Sequence, residues 1–154
     1  MVTSEDHTIA NLNEGDSFLL TRVITHEDVD TFARLSGDRS PLHTDDAFAQ
    51  ERGFERRVVH GMLLASFFSE LLGMHLPVRE SLLLSTSLKF RAPAFPGDTV
   101  RVVATVDRVS DGAEAVSFGI VITNEATGAT LLTGKAMLGF MKRIPESSQK
   151  KDRE

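Results

Sequence analysis

"GMLLASFFSELLG", residues 61–73, decides the fold. Met62, Leu63, Leu64, Phe67, Phe68, Leu71 and Leu72 occupy nearly every side of a helix. A surface helix carries a single apolar stripe, whereas a helix that is apolar all round is buried. Ala65, Ser66, Ser69 and Gly73 are small enough to let neighbouring backbone come close. The segment therefore predicts a buried helix of roughly four turns, wrapped on most of its sides.

The chain beyond Pro77 supplies the wrapping, because there the apolar period changes from helical to two. Leu84, Thr86, Leu88 and Phe90 alternate with Ser85, Ser87, Lys89 and Arg91. Val100, Val102, Ala104 and Val106 repeat the pattern, as do Val116, Phe118, Ile120 and Ile122. Leu132, Ala136, Leu138 and Phe140 follow, with Gly134 as a bulge or a point of close approach. The connections "FPGD", "SDGA" and "NEATGA" are rich in turn formers. These are consecutive antiparallel strands with one apolar face. A long sheet needs cover for that face and the helix needs wrapping, so a curved antiparallel sheet curled around a central apolar helix satisfies both. That is the hotdog architecture, in the α+β class. A generic α+β sandwich is the plainer alternative on pattern alone.

Upstream, "DSFLLTRVIT" (Asp16 to Thr25) predicts a first strand. Thr25 is placed to cap a helix, with Asp28 three residues later in a variant of the capping box. Val29, Phe32, Ala33 and Leu35 give that helix an apolar face, and Gly37 sits where a C-terminal cap belongs. Asp38 to Leu42 is expected to be a loop, because Pro41 disfavours helical angles at Ser40. "TDDAFAQERG" predicts a second short helix, capped by Thr44 or Asp45 and ended by Gly53. Residues 1–15 are expected to be loosely structured and the charged tail 145–154 frayed, around a core of about 16–142.

The chain has 154 residues, which suits one domain, 1–154, with room for a proper core. It is 41% apolar and 25% charged, ordinary values for a soluble globular protein. A net charge of −5 argues against a basic, nucleic-acid-seeking surface. With no cysteine, disulfides, thiolate metal sites and a cysteine nucleophile are excluded. The N-terminus lacks an apolar secretory core, and the longest apolar stretch falls short of the ~20 residues of a spanning helix. A soluble, cytoplasmic protein without membrane association is expected.

Asp38 and His43 lie in a segment that Gly37 and Pro41 restrict. A loop of this length can bring a carboxylate and an imidazole to one water, which makes an acid–base device. Side chains so placed are, by themselves, more often turn formers. The helix start at "HG" adds context: Gly61 opens a helix whose first amides are unpaired and carry partial positive charge, and it has no side chain to block approach. A thioester carbonyl resting on that amide would be polarised. Equally, Gly61 can simply start a tightly packed helix. His60 reads as an N-cap or packing residue. Ser69, a hydroxyl in an apolar helix, needs a partner, either the Asp38 carboxylate or the carbonyl four residues before it. His43, Thr44, Asp45 and Asp46 lack a second histidine or ligand spacing, so no metal is expected there. His7, His26 and His75 read as surface residues, and Arg56-Arg57 as a solvated turn or a grip for a nucleotide phosphate.

"FARLSGDRSPLHTDDAFA", "VVHGMLLASFFSELLG" and "SLKFRAPAFPGDTV" together resemble the MaoC-like hydratases, the (R)-specific enoyl-CoA hydratases or hydratase 2 family. The resemblance spans about Asp16 to Lys142. It implies a hotdog fold, a homodimer, no cofactor, and reversible hydration of trans-2-enoyl thioesters to (3R)-3-hydroxyacyl thioesters. The substrate would be carried on CoA or on an acyl-carrier protein, its acyl chain in a tunnel beside the dimer interface. The family's catalytic residues fall on Asp38 and His43, its oxyanion glycine on Gly61, and the serine that supports the aspartate on Ser69. Ser40 departs from the pattern, because the family has asparagine before the proline. A non-catalytic acyl-thioester-binding protein and a thioesterase are the competing functions on this fold. Product formation excludes the first, and release of free CoA thiol identifies the second.

Overall fold

The computed structural model describes residues 12–77, 80–110 and 112–141. Strand β1 (Ser17–Val23) leads to helices α1 (His26–Ser36), α2 (Pro41–Thr44), α3 (Asp46–Glu51) and α4 (Gly61–Met74). Strands β2 (Ser81–Phe90), β3 (Thr99–Ser110), β4 (Ala115–Asn124) and β5 (Thr130–Phe140) complete the order. All pairings are antiparallel, and the sheet runs β1-β3-β4-β5-β2. This is the hotdog arrangement: one face of the sheet closes over α4 and the other is outside.

Alternation made the inner face of the sheet legible. Val100, Val102, Ala104, Val106, Val116, Phe118, Ile120 and Ile122 are all buried in one core with Leu64, Phe67, Phe68 and Leu71 of α4. Gly134 is a point of close approach, since a Cβ there would lie 2.6 Å from the Ser87 carbonyl oxygen.

The strands are not paired in simple succession. β3, β4 and β5 form a meander, but β2 crosses to the outer edge and pairs with β5. Periodicity assigns a face to each strand and leaves its neighbour open. β2 is also largely exposed, including Leu82, Leu83, Leu84 and Phe90.

α4 is wrapped on most of its sides as expected, with Leu63, Leu64, Ala65, Phe67, Phe68, Leu71 and Leu72 buried, but one narrow side is open and takes Met62 with it. Met62, Ser66, Ser69 and Gly73 recur at helical spacing and form an exposed stripe. Nothing lies within 4 Å of a Cβ built on Gly73. Among the described residues, α4 packs chiefly against β1 and β3, on the other side of the sheet from β2. Among the described residues, no helix is long and apolar enough to cross a membrane.

The helical segment before α4 is set by its caps. Thr25 and Asp28 form a complete capping box, with the Thr25 N–H donating to Asp28 Oδ2 at 2.8 Å and the Asp28 N–H to Thr25 Oγ1 at 3.0 Å. Gly37 ends α1 at φ 80°, a left-handed conformation that suits glycine. Val29 and Ala33 are buried, whereas Leu35 is exposed, one position outside the buried face. Asp38 to Leu42 is only partly loop, because Pro41 begins the single turn of α2. Proline fits a first helical position, where no amide hydrogen bond is lost. Asp45 caps α3, accepting from the N–H groups of Ala47 and Phe48. The expectation of looseness for residues 1–15 fails at 12–15: Leu12 is buried in the core, and the Gly15 N–H donates to the Val106 carbonyl at 2.9 Å. Residues 1–11 and the tail 145–154 lie outside the described residues.

Candidate active site

The site lies where the α1–α2 connection meets the start of α4. Asp38 follows the cap of α1, and its exposed carboxylate accepts a hydrogen bond from the Ser40 N–H at Oδ1, 3.2 Å. The Asp38 N–H donates to Ser36 Oγ at 3.2 Å. His43 sits in the α2 turn. Its Nδ1–H donates to the Val58 carbonyl at 2.7 Å, because a carbonyl can only accept. In the neutral ring that leaves Nε2 with a lone pair. It lies 3.9 Å from Asp38 Oδ2. The pair is too far apart for a direct hydrogen bond, yet an oxygen about 2.8 Å from each fits between them.

The exposure of the two groups differs usefully. Asp38 is 52% exposed at its side chain and His43 only 15%. The carboxylate is thus at the surface and the imidazole lies behind it.

Ser40 shapes this segment through its backbone. Its carbonyl accepts from the His43 N–H at 2.9 Å and from Thr44 Oγ1 at 3.2 Å, and its N–H meets Asp38. Its hydroxyl makes no capping bond to α2. The departure from asparagine leaves these contacts intact, since any residue supplies them.

His60, which the sequence marked only as a cap or packing residue, joins the pieces. It is 1% exposed. Its Nε2–H donates to the Asp38 carbonyl at 2.9 Å, and its ring stacks on His43 with centroids 3.9 Å apart and planes 26° apart. Phe32 packs against the same ring at 5.0 Å. His60 stands at the N-cap position of α4 but makes no side-chain capping bond. No sequence signal distinguishes such a histidine from a packed one.

Gly61 is the next residue and donates the first amide of α4, ahead of which no helical carbonyl is available. A Cβ on Gly61 would lie 2.9 Å from Cε1 of Phe90, so the aromatic ring comes down directly onto this glycine.

Ser69 makes no hydrogen bond to Asp38 among the described residues. It forms neither of the hydrogen bonds considered for it and instead lines a cavity of about 150 Å³ with Leu72, Gly73, Ser81, Leu83 and Leu138. Arg56 and Arg57 are tied down rather than solvated. Arg57 pairs with Asp30 at 2.6 Å, and Arg56 meets Glu55, the Pro96 carbonyl and Asp98. The Arg57 guanidinium bonded to Asp30 holds that carboxyl below its ordinary range, against a smaller opposing effect of burial. His26 accepts from Arg57 at its Nδ1, and His75 is exposed near Glu70. His7 lies outside the described residues.

Donor atoms of Asp38, His43 and His60 fall within 4.8 Å of one another, a spacing that can hold a cation. Each histidine donates one ring N–H to a carbonyl oxygen, which leaves a lone pair on His43 Nε2 and on His60 Nδ1.

The family model for the MaoC like domain matches residues 11–128. The chain belongs to the MaoC-like domain family. Among MaoC-like proteins it is 40% identical to the (R)-specific enoyl-CoA hydratase of Aeromonas caviae, over 83% of this chain and 95% of that protein. It is 36% identical to the (R)-specific enoyl-CoA hydratase of Rhodospirillum rubrum, over 84% of this chain and 89% of the relative. The solved structure of an (R)-hydratase from A. caviae, described as involved in PHA biosynthesis, superposes with a TM-score of 0.80 at 39% identity, covering 85% of this chain and 98% of that one.

Proposed function

We propose that this MaoC-like protein is an (R)-specific enoyl-CoA hydratase, a hydro-lyase that adds water across the double bond of trans-2-enoyl thioesters. The observation that carries the reading is the 3.9 Å separation of Asp38 Oδ2 and His43 Nε2 beside the amide end of α4. Two proton acceptors at that spacing hold one water by both of its hydrogens.

The chemistry follows from that placement. Asp38 and His43 orient the water and remove a proton as its oxygen forms a bond to C3. The electron pair of the double bond moves to C2 and onto the thioester oxygen, where the Gly61 N–H and the positive end of α4 stabilise it. The protonated partner returns a proton to C2, so the elements of water are added and no other reactant is consumed. The reverse sequence is dehydration. Ser40 supports Asp38 through its N–H. The cavity beside Ser69 supplies a largely apolar wall for the acyl chain, in which Ser69 is a polar point.

The protein works as a homodimer in this reading. β2 is an edge strand, and Leu82, Leu83, Leu84, Met62 and Met74 are exposed on it and on α4. An uncovered apolar edge is a liability that edge-to-edge pairing of two sheets removes. The substrate handle is CoA, as in the names of the full-length relatives, and a carrier-protein thioester is the second candidate.

The test is the ultraviolet absorbance of crotonyl-CoA mixed with purified protein. Loss of the conjugated enoyl signal with formation of (3R)-3-hydroxybutyryl-CoA is expected. An unchanged signal with short, medium and long enoyl-CoAs would overturn the CoA assignment, and release of free thiol would mark a thioesterase instead.

A further inference from the structure

We propose that His60 is a positioning residue that fixes both members of the Asp38–His43 pair at once, and that it does so as a neutral ring. The inference rests on the hydratase reading for its catalytic consequence, but its geometric part stands without it.

Three observations carry it. His60 is buried and holds the Asp38 main chain through Nε2–H at 2.9 Å. That bond anchors the otherwise exposed connection from which the Asp38 carboxylate projects. The same ring lies flat on His43 at 3.9 Å, so it limits tilt of the second imidazole. Finally, Nδ1 of His60 is buried and has no hydrogen-bond partner among the described residues. A ring that donates from Nε2 and leaves Nδ1 bare is the neutral Nε2–H tautomer. Protonation at Nδ1 would put a donor on a buried atom that has no acceptor among the described residues. It would also set a cation against the face of His43, which must itself gain a proton when water is activated. The unpartnered nitrogen is thus the price of a neutral, rigid spacer between loop and ring. Because His60 also immediately precedes Gly61, it links the acid–base pair to the amide end of α4.

The mechanism of action is geometric, so the two nitrogens of His60 are not equivalent. Glutamine places its amide N–H near the position of Nε2, whereas asparagine places it near Nδ1. His60→Gln should therefore preserve the bond to Asp38, and His60→Asn should lose it although it is also polar and non-titrating. His60→Leu removes the donor altogether.

Steady-state kinetics with crotonyl-CoA test the proposal, alongside thermal melts of each variant. His60→Leu and His60→Asn are expected to lower kcat on the order of 10²-fold, the scale of a small misplacement of reacting groups. KM should be little changed, and His60→Gln should recover most of kcat. Equal activity in the three variants, or losses that follow melting temperature instead of the Gln/Asn distinction, would overturn the assignment. A second readout does not depend on turnover. Long-range proton–nitrogen NMR spectra should show His60 protonated at Nε2 alone, and His43 ring signals that move in His60→Asn and return in His60→Gln. An inactive wild type with this NMR pattern would overturn the hydratase reading and keep His60 as the spacer. His43 signals that ignore every substitution would overturn the spacer itself.

Discussion

His43 Nε2 faces Asp38 Oδ2 across 3.9 Å, while the other nitrogen of His43 is held by the Val58 carbonyl at 2.7 Å. The second contact gives the first its meaning. Because the Val58 carbonyl accepts from the Nδ1–H, the lone pair is on the nitrogen that faces the carboxylate. Val58 is in turn fixed, since its N–H donates to the Leu42 carbonyl at 2.9 Å, within the same turn as His43.

Asp38→Asn and His43→Ala should each reduce hydration of crotonyl-CoA by about 10²–10⁴-fold, the usual contribution of a positioned acid–base group. Both variants should keep the wild-type circular dichroism spectrum, since neither residue belongs to the buried apolar core. Activity near that of the wild type in either one would remove that residue from the catalytic pair.

Gly61→Ala tests the amide end of α4. The added methyl meets the Phe90 ring at 2.9 Å, and that ring is half exposed and able to swing away. Little loss of melting temperature is expected, with a clear fall in kcat/KM as methyl and displaced ring crowd the approach to the amide. A variant that melts early but retains its specific activity would show that Gly61 serves packing alone.

Much of this was open to reading from the residues. Thr25 and Gly37 delimit α1 because capping is local chemistry, and the Val100 to Val106 alternation finds the core because a strand has a period of two. What escaped was non-local. The pairing of β2 with β5 depends on which edge is free after β3, β4 and β5 assemble. The exposed stripe of Met62, Ser66, Ser69 and Gly73 depends on how far one sheet can wrap, which composition does not report. His60 was the largest gap at the site. Its position before Gly61 was plain, but its contacts with Asp38 and His43 exist only once α1, α2 and α4 converge.

Gly134 and Gly139 should respond differently to alanine. At Gly134 the new Cβ meets the Ser87 backbone oxygen at 2.6 Å, and backbone in a paired strand cannot retreat. At Gly139 it meets Cδ1 of Leu84 at 2.8 Å, the far end of a flexible side chain, which gives way more easily than backbone. Gly134→Ala should cost roughly 1–3 kcal/mol, in the range of overpacking, and Gly139→Ala clearly less. Urea denaturation of both variants measures the difference, and equal losses would contradict the argument.

The α1 cap should impose an acid-sensitive component of stability. Burial of Asp28 works to raise its pKa, but the hydrogen bonds from Thr25 and the charge of Arg22 outweigh it, so the folded value is lowered. A carboxylate depressed on folding contributes stability above its unfolded pKa, near 3.8, and loses it as pH falls through the still lower folded value. Thr25→Ala should cost about 1 kcal/mol at neutral pH through loss of the cap. Asp28→Asn should destabilise at neutral pH and converge on the wild type in acid. A stability difference between Asp28→Asn and wild type that stays constant from neutral pH down to the acid transition would rule out the carboxylate as its source.

The edge strand supplies the last prediction. Leu82 and Leu84 of β2 are more than half exposed in a single chain, as are Met62 and Met74 of α4. A face of this kind, next to an unpaired strand edge, is covered by a second copy in the proposed homodimer. Light scattering should therefore give about twice the chain mass of 16.9 kDa. Leu82→Lys puts a charge into the covered face, so it should shift the protein toward monomer. It should also lower activity in proportion to the dimer lost, because the Ser69 cavity is walled by Ser81 and Leu83 of the same strand. A wild-type monomer with full activity would refute the dimer. A dimer untouched by Leu82→Lys would move the interface away from β2.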